Sequence, residues 1–264
     1  MALTAFRYFF YPQFETKFFP KKRPVVNVDH PLDAKVPFRP DLVAEYLTFF
    51  FLWINTGLFL SRNYGKPGVK AYSRYIDEVV EWYRAAGSVY LRKQSTTTRP
   101  PDPANGFFRI IHSLDPHLHC VPSLHVIVAA GNWIMGKRLI DGLCGGKPGL
   151  RERRALAYLR QEAIRISESV LYVKQHSVNC VGATLFYLRA RYPSEFGDAE
   201  VRSYMEELYS YEGADIAALD EVKDFIFALY RRLWTSYEKA GDGDWRRQLM
   251  KFLSEFKPDP PFAD

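Results

Sequence analysis

The sequence predicts an all-α protein of 264 residues. Apolar residues recur at helical spacing through most of the chain, and no segment of useful length alternates with the two-residue period of a strand. Proline- and glycine-rich stretches separate the helical segments and mark their ends. The hydrophobic fraction of 47% is enough for a sizeable core, so the chain is long enough for one large domain or two small ones.

The first half of the chain divides into four segments. Residues 1–40 are proline-rich and are predicted to be irregular. Residues 42–60 are predicted to form an apolar helix that Asp41 caps. The stretch "SRNYGKPG" separates it from an amphipathic helix over residues 69–92. Residues 93–121 contain four prolines and predict a long loop, which in a compact domain is often functional.

The second half is predicted to consist of helices separated by short turns. Residues 122–139 predict a buried helix with Ser123 near its start. Residues 150–191 carry two helical patterns, or one long one, of which the first part is highly charged and the second is apolar except at its centre. Residues 197–256 are amphipathic and mixed in charge, which predicts a solvated hairpin or tail. The predicted domains are an irregular N-terminal segment (1–40), a helical core (41–192) and a solvated helical extension (193–264).

Charge and cysteine content narrow the classes of partner. The formal charge of +6 suits phosphorylated compounds or anionic lipid, although ordinary solubilising charge explains it equally well. Nucleic acid is not expected as a partner, because the cations lie within apolar helices rather than along one exposed stripe. The three cysteines are widely spaced, so neither a disulfide framework nor a zinc ribbon is indicated.

One segment is long enough to cross a bilayer. Residues 42–60 contain 19 residues with Glu45 as the single charge. A fully buried core helix has the same composition, so both interpretations stay open. The helices at residues 69–92 and 150–165 are too charged to span a membrane on their own.

Three polar segments interrupt apolar or loop surroundings: "RKQSTTTRPP", "CVPSLHV" and "SVLYVKQHSVNC". Together they supply cations, two histidines and a hydroxyl near a helix start. That combination suits a phosphate, because arginine binds phosphate oxygens in fork geometry and a helix N-terminus offers free N–H groups. Two histidines can divide the roles of nucleophile and general acid.

The order R-x6-R-P, P-S-x-H and S-x6-H resembles the type 2 phosphatidic acid phosphatase family, whose superfamily includes bacterial acid phosphatases and vanadium haloperoxidases. The family pattern is K-x6-R-P, P-S-G-H and S-R-x5-H-x3-D, and the spacing within each motif is kept. "YVKQHSV" is similar to the third motif of some membrane members, and "VDHPLDAKVPFRPDLVAEY" looks like the stretch before their first helix. The resemblance covers about residues 28–190 and implies a bundle with its site among packed helices.

The resemblance also implies a mechanism. His176 would attack phosphorus and form a phosphohistidine, and His125 would protonate the leaving alcohol. No metal and no cofactor are implied for the hydrolases. The substrate would be a phosphate monoester, either a small molecule or a lipid phosphate. The protein would lie at or in a membrane, most simply the inner membrane, and a soluble protein is the alternative. The phosphoryl oxygens would be held by Arg92, Arg99, Lys174 and the Ser123 hydroxyl.

Three residues depart from the family pattern. Arg92 replaces lysine, which keeps the charge but changes the donor geometry. Leu124 replaces glycine, so the backbone approaches a phosphate less freely. Cys180 replaces the aspartate that should orient the nucleophilic imidazole. A non-catalytic descendant that binds a phosphorylated ligand or serves as a scaffold is therefore the alternative to a phosphatase.

Two further alternatives use the same residues. A vanadate-dependent oxidase would have the same pocket with bound vanadate. The stretch "HLHCVPSLHV" holds three of the six histidines, so His117, His119 and Cys120 could join His125 as zinc ligands. No second cluster of metal ligands accompanies these residues. The simpler interpretation is that His117, His119 and Cys120 lie at the rim of a pocket.

Overall fold

The computed structural model describes residues 1–100, 106–210 and 216–257, and over these ranges the chain is predominantly helical. The predicted all-α class is confirmed. Pro101 and Pro103 of the predicted loop, and parts of the predicted extension, lie outside the described residues. The helices in chain order are α1 (Ala2–Ala5), α2 (Tyr11–Phe18), α3 (Val43–Tyr46), α4 (Phe49–Tyr90), α5 (Gly106–Leu114), α6 (Leu124–Leu143), α7 (Leu150–Tyr172), α8 (Val178–Arg191), α9 (Asp198–Glu207), α10 (Leu219–Ala240) and α11 (Trp245–Glu255).

The N-terminal segment is helical up to Phe18, which corrects the expectation of an irregular segment over residues 1–40. A π-helix, Phe6–Phe10, joins α1 to α2. Pro12 lies in the first turn of α2, where its missing N–H is not needed, so the proline starts a helix instead of breaking one. Beyond α2 the expectation holds better, since only a short strand and two short 3₁₀ helices, Pro31–Lys35 and Pro40–Leu42, lie between α2 and α3.

Two three-residue strands, β1 (Val25–Asn27) and β2 (Gln94–Thr96), pair in parallel. They are too short to produce a visible two-residue period in the sequence. Ser95 of β2 also forms a bridge to His119, and its Oγ accepts the Val121 N–H at 2.8 Å. The predicted loop over residues 93–121 therefore contains β2 and α5, and it is held close to the start of α6.

Helix α4 contains the break that "SRNYGKPG" predicts. Gly65 adopts φ 54° and ψ −133°, and Pro67 follows, so the helix kinks there. This backbone conformation is one that residues with a Cβ rarely adopt. The two helices predicted over residues 42–60 and 69–92 are thus the two arms of one kinked element.

Helix α6 lies at the centre of the molecule and is buried along most of its length. It packs against α4 and α7. A Cβ on Gly131 would lie 2.7 Å from the Trp82 ring, so glycine permits this close approach. The buried Asn132 accepts hydrogen bonds from Thr56 at 3.0 Å and Tyr75 at 2.6 Å, which ties α6 to both arms of α4.

The C-terminal helices have one buried face, which corrects the expectation that residues 193–264 are simply solvated. Helix α10 packs along α8. A Cβ on Gly182 of α8 would lie 2.9 Å from the Ile226 carbonyl oxygen. The apolar residues of α10 at helical spacing, including Leu229 and Leu233, are buried in this contact. The charged residues occupy the outer face.

Among the described residues, the stretch Pro40–Tyr90 is the one helical element that is long and apolar enough to cross a membrane. Only 28% of its most apolar window is buried inside the molecule. Core helices of soluble proteins can have the same length and composition, so these two properties alone do not identify a membrane span.

Candidate functional site

The residues before α6 are fixed by two neighbouring helices. Tyr90, the last residue of α4, donates a hydrogen bond to the Pro122 carbonyl. The Ser123 N–H donates to Oγ1 of Thr184 in α8 at 2.8 Å. Ser123 is the N-cap of α6, and its Oγ accepts the Val126 N–H at 3.4 Å. The Ser123 hydroxyl is therefore held at the positive end of the α6 dipole.

His176 lies in the short connection between α7 and α8. The backbone turns at Lys174, where φ is 55°, and the His176 N–H donates to the Val170 carbonyl at 3.2 Å. The ring reaches the start of α6, where its Nε2 lies 3.1 Å from the Ser123 Oγ. Its Nδ1 is buried and has no hydrogen-bond partner. One ring nitrogen thus meets the helix start, and the other has no acceptor.

His125 projects from the first turn of α6 towards the same place. Its ring centroid lies 6.1 Å from that of His176. The Tyr46 hydroxyl lies 3.2 Å from the His125 Nδ1, and the two rings stack with centroids 4.0 Å apart. Burial and the neighbouring His176 lower the pKa of His125 well below 6.5, so the imidazole is neutral at neutral pH. Burial also raises the pKa of Tyr46 well above 10, which keeps its hydroxyl available as a donor.

Arg92 and Lys174 lie apart from this group. Arg92 is exposed in the turn between α4 and β2. The Lys174 ammonium donates to the backbone carbonyls of Asp33 and Val36, so it ties the first 3₁₀ helix to the connection that carries His176. Neither side chain lines the cavity between the two histidines. The structure therefore brings together Ser123, His125 and His176, but not these two cations.

Arg99 does not line this cavity either, but it contacts Asp115, which does. Its Nη1 donates to the Asp115 carbonyl at 3.1 Å, and its Nη2 lies 3.6 Å from the Asp115 carboxylate. The Arg99 Nε and Nη2 groups are buried and have no hydrogen bond to any residue that the structure describes. Burial lowers the pKa of Arg99, although the guanidinium stays charged. Arg99 therefore has donors to offer to an anion beside Asp115, which lines the cavity.

Cys180 is fully buried in the first turn of α8. Its Sγ accepts the Ser177 N–H at 3.4 Å, and burial raises the pKa of the thiol well above 9. The Cys120 Sγ lies 3.7 Å from the His117 Nε2 and 3.9 Å from the Gln175 carbonyl oxygen, and Cys120 lines the same cavity as His176. A second thiol, which the motif comparison did not identify, is therefore adjacent to the candidate nucleophile.

The histidines of the proposed zinc alternative each bind a different partner. The His117 Nε2 lies 2.7 Å from the Thr97 hydroxyl, and the His119 Nε2 lies 3.1 Å from the Gln94 amide. His125 is bound to Tyr46, as described above. Within the described ranges, no three or more His, Cys, Asp or Glu side chains are grouped so that they could hold a metal ion.

The cavity between the histidines is small. It has a volume of about 10 Å³, which is space for about one water molecule. A phosphoryl group therefore enters only when lining side chains move. An apolar groove of about 210 Å³ adjoins the cavity and shares Tyr46, Asp115 and His125 with it. Ring and carboxylate movements at this shared wall would join the two spaces.

Three residues of the site lie outside the predicted set. Tyr46 and Asp115 come from helix and loop positions with no motif around them, and Cys120 was considered as a zinc ligand or as a rim residue of the pocket but not as a neighbour of His176. A buried tyrosine or a thiol contacts a histidine because of the tertiary packing, so no local pattern marks them. The sequence stretch that includes Tyr46 was nevertheless part of the family resemblance.

Comparison with protein-family models, curated proteins and solved structures finds no match for this chain. The chemistry of the site therefore has to be argued from its geometry and from the three motifs.

Proposed function

We propose that the chain is a metal-independent histidine phosphatase that hydrolyses a phosphate monoester, as its resemblance to the type 2 phosphatidic acid phosphatases implies. The observation that carries the proposal is the 3.1 Å approach of the His176 Nε2 to the Ser123 hydroxyl at the start of α6, with His125 beside it. These residues come from two separate motifs. A nucleophile, an acid and a helix N-terminus at one point are the parts that phosphoryl transfer needs.

In the proposed reaction the lone pair of the His176 Nε2 attacks phosphorus. The P–O bond to the leaving group breaks, and the protonated form of His125, a small fraction at neutral pH because burial lowers its pKa, gives its proton to the departing oxygen. Neutral His125 then takes a proton from water, whose oxygen attacks the phosphohistidine. The P–N bond breaks, phosphate leaves and His176 is restored.

Arg99 and the start of α6 are the proposed holders of the phosphoryl oxygens. Arg99 has two buried N–H-bearing nitrogens without hydrogen bonds. An incoming phosphate can replace the Asp115 carboxylate beside them, and the Ser123 hydroxyl supplies one more donor. In this proposal Lys174 acts indirectly, because it fixes the connection that carries His176, and Arg92, which is exposed in the turn after α4, has no role.

The apolar groove next to His125 is where the proposal places the leaving group. Phe49, Ile110 and Val128 line it, and its volume of about 210 Å³ suits part of a hydrocarbon chain. A lipid phosphate would place its head between the histidines and its chain in the groove. A phosphorylated small molecule would use only the first of these positions.

The test measures phosphate release from p-nitrophenyl phosphate and from phosphatidic acid in detergent micelles. We expect turnover in the presence of a chelator, inhibition by vanadate and a trapped phosphohistidine on His176. His176→Ala should abolish release, whereas His112→Ala on α5 should not. Release that survives His176→Ala, or that a chelator removes, would refute the mechanism. Preference between the two substrates separates the lipid from the small-molecule version.

The alternative is a protein that binds a phosphorylated ligand without turnover. The observation that favours it is the buried His176 Nδ1, which lacks the acceptor that catalysis by the family pattern requires. In that case vanadate or phosphate should raise the melting temperature of the wild type and of His125→Gln alike, with no phosphate released from either substrate. Measurable single-turnover release by the wild type excludes this alternative.

A further inference from the structure

Three elements present apolar side chains to solvent, each on one side. On α1 and the π-helix the spacing of Leu3, Phe6 and Phe10 places them on one face, and Leu3 is 79% exposed. On the first arm of α4, Ile54 is 49% exposed, and on α5 Ile110 is 55% exposed. We call the following set the apolar face: Leu3, Phe6, Phe10, Phe50, Phe51, Ile54, Leu58 and Ile110.

The three elements meet around the mouth of the groove that leads to His125. Phe10 from the π-helix, Phe49 from α4 and Ile110 from α5 all line that groove. The π-helix packs on the second arm of α4, where the Phe9 and Tyr83 ring centroids lie 6.4 Å apart, so the groove mouth is the place where the apolar residues of the three elements meet. The apolar face extends from this mouth and is larger than the scattered single apolar residues that are normal on a soluble protein.

Charge around the apolar face is mainly positive. Arg7, Arg62 and Arg109 are exposed on the π-helix, the first arm of α4 and α5, and Lys17 is exposed on the neighbouring α2. Asp115, which follows α5 and lines the groove, is paired with Arg99. Over residues 2–18, 49–64 and 106–114 the one acidic residue is Glu15, whose carboxylate is held by Lys22 and Arg23.

We propose that the apolar face docks on the surface of an anionic lipid bilayer, with the three elements lying in the interface and the mouth of the groove open to the lipid. Apolar side chains that enter the acyl boundary, with Lys and Arg beside them, are the pattern of proteins that lie on a membrane. A second copy of the chain fits less well, because two such faces would bring their cations together.

The geometry of α4 favours lying on the bilayer over crossing it. The side of its first arm opposite Ile54 is already packed on α6, where Thr56 binds Asn132. The kink at Gly65 then turns the chain into an arm whose exposed surface is charged, with Lys66 and Lys70 at its start. One face of the arm is thus available to lipid, which suits an interfacial element.

The test is sedimentation of the purified protein with vesicles. Vesicles of phosphatidylcholine and phosphatidylglycerol in equal parts should bind the wild type, vesicles of phosphatidylcholine alone should bind it less, and added salt should weaken the binding. Ile54→Asp and Ile110→Asp should each weaken binding by about tenfold or more, because each removes an apolar side chain from the acyl boundary. Both residues are exposed, so the variants should keep the far-UV spectrum and melting temperature of the wild type.

Leu150→Asp is the matched control. Leu150 is also an exposed apolar residue, but it lies at the start of α7, outside the apolar face. The Leu150→Asp variant should bind vesicles as the wild type does. His176→Ala should also bind normally, since the inference rests on the surface and not on the proposed phosphatase reaction.

Three results would overturn the proposal. Equal binding by Ile54→Asp and the wild type would show that the face makes no contact with lipid. A wild-type dimer that Ile54→Asp converts to a monomer, with no vesicle binding, would make a second copy the occupant. Resistance of the cell-membrane-bound protein to extraction by alkaline carbonate would show that the chain crosses the bilayer.

Discussion

The His176 Nε2 lies beside the Ser123 hydroxyl, whereas its Nδ1 has no hydrogen-bond acceptor among the described residues. Attack through Nε2 requires the proton on Nδ1, and an acceptor there stabilises both this tautomer and the imidazolium. Cys180 stands where the family motif has aspartate, but its thiol is neutral and accepts the Ser177 N–H. In a serine protease, replacing the equivalent aspartate by asparagine lowers kcat by about 10⁴-fold. We therefore expect a slow wild-type enzyme.

Cys180→Asp should raise the single-turnover rate of phosphate release by about tenfold or more. The upper limit of the increase is about 10⁴-fold, the factor by which a serine protease slows when its aspartate is replaced. The carboxylate supplies the missing acceptor for the His176 Nδ1. It also places a charge in an apolar interior, so the melting temperature should fall. Rapid-quench release, normalised to folded protein, measures the rate.

Cys144→Asp is the control for the preceding experiment, because Cys144 lies at the C-terminal end of α6 and is partly exposed. Its rate should match the wild type. An unchanged rate for Cys180→Asp in folded protein, or a wild type as fast as ordinary phosphatases, would mean that another group already orients His176. The neighbouring Cys120 thiol would be the first residue to substitute next.

The pKa of His125 sets the expected pH profile. Because burial and His176 lower this pKa below 6.5, only a small fraction of the free enzyme carries the acidic proton at neutral pH. The kcat/KM for an alkyl phosphate should therefore rise as the pH falls from neutral towards the pKa of His125. His125→Gln should flatten this limb and slow alkyl phosphate hydrolysis by about 10²-fold to 10⁴-fold.

Comparison of two leaving groups tests the same assignment. p-Nitrophenol leaves without much help from an acid, so His125→Gln should slow its ester less than the alkyl ester. Equal losses for both esters would show that His125 acts in binding or in folding and not as the acid.

The sequence allowed the proximity of Ser123, His125 and His176 to be predicted, but not the positions of the cations. A P-S-x-H motif at a helix start fixes where its side chains project, because N-cap geometry is local. Lys174 has a long side chain whose direction depends on carbonyls about 140 residues earlier in the chain. The contacts of Tyr46 depend on packing in the same way, so no motif could reveal them.

At the scale of elements, long periodic helices were predictable and short elements were not. Helix α6 follows its apolar pattern to within a few residues. The second pattern of residues 150–191 was expected to be one helix, but it breaks at its polar centre: residues 173–177 connect α7 to α8, so His176 lies in a turn and not inside a helix. Strands β1 and β2 are only three residues long, and their pairing joins segments about 70 residues apart. A pattern of three residues carries no period, so the sheet that holds Ser95 near α6 appears only in the structure.

Glu168 of α7 links that helix to the residues after α9. Its buried carboxylate accepts the Tyr209 N–H, and burial raises its pKa from 4.5 to about 7. A raised pKa in the folded state means that the protonated acid is favoured by folding. The stabilisation is fully present below about pH 4.5 and is lost as the pH rises through about 7.

Glu168→Gln should therefore raise the free energy of unfolding at pH 8 by about 1–3 kcal/mol and remove this part of the pH dependence. The amide keeps an oxygen for the Tyr209 N–H but carries no charge to bury. Urea unfolding at several pH values measures the effect. Glu162→Gln, on the more exposed side of α7, is the control and should leave the pH dependence as it is. A destabilised Glu168→Gln protein at pH 8 would contradict the expectation.

At the scale of the whole molecule, the C-terminal helices belong to the same body as the candidate site. Helix α8 begins just after His176, and α10 lies along it with the Ile226 carbonyl close to Gly182. The amphipathic pattern over residues 197–256 predicted that one face would be apolar. It could not predict what that face covers, because the partner helix is specified only by the tertiary fold.

Ile226→Ala tests this integration. The side chain is fully buried between α10 and α8, so its truncation should cost about 2–4 kcal/mol. Because the helices share one core, calorimetry should show a single transition at a lower temperature, and the tryptophan signal of the whole chain should follow it. Thr235→Ala, at an exposed position on the same helix, should stay within about 0.5 kcal/mol of the wild type. Two transitions, of which Ile226→Ala lowers only one, would show that the extension folds separately from the helices that hold His125 and His176.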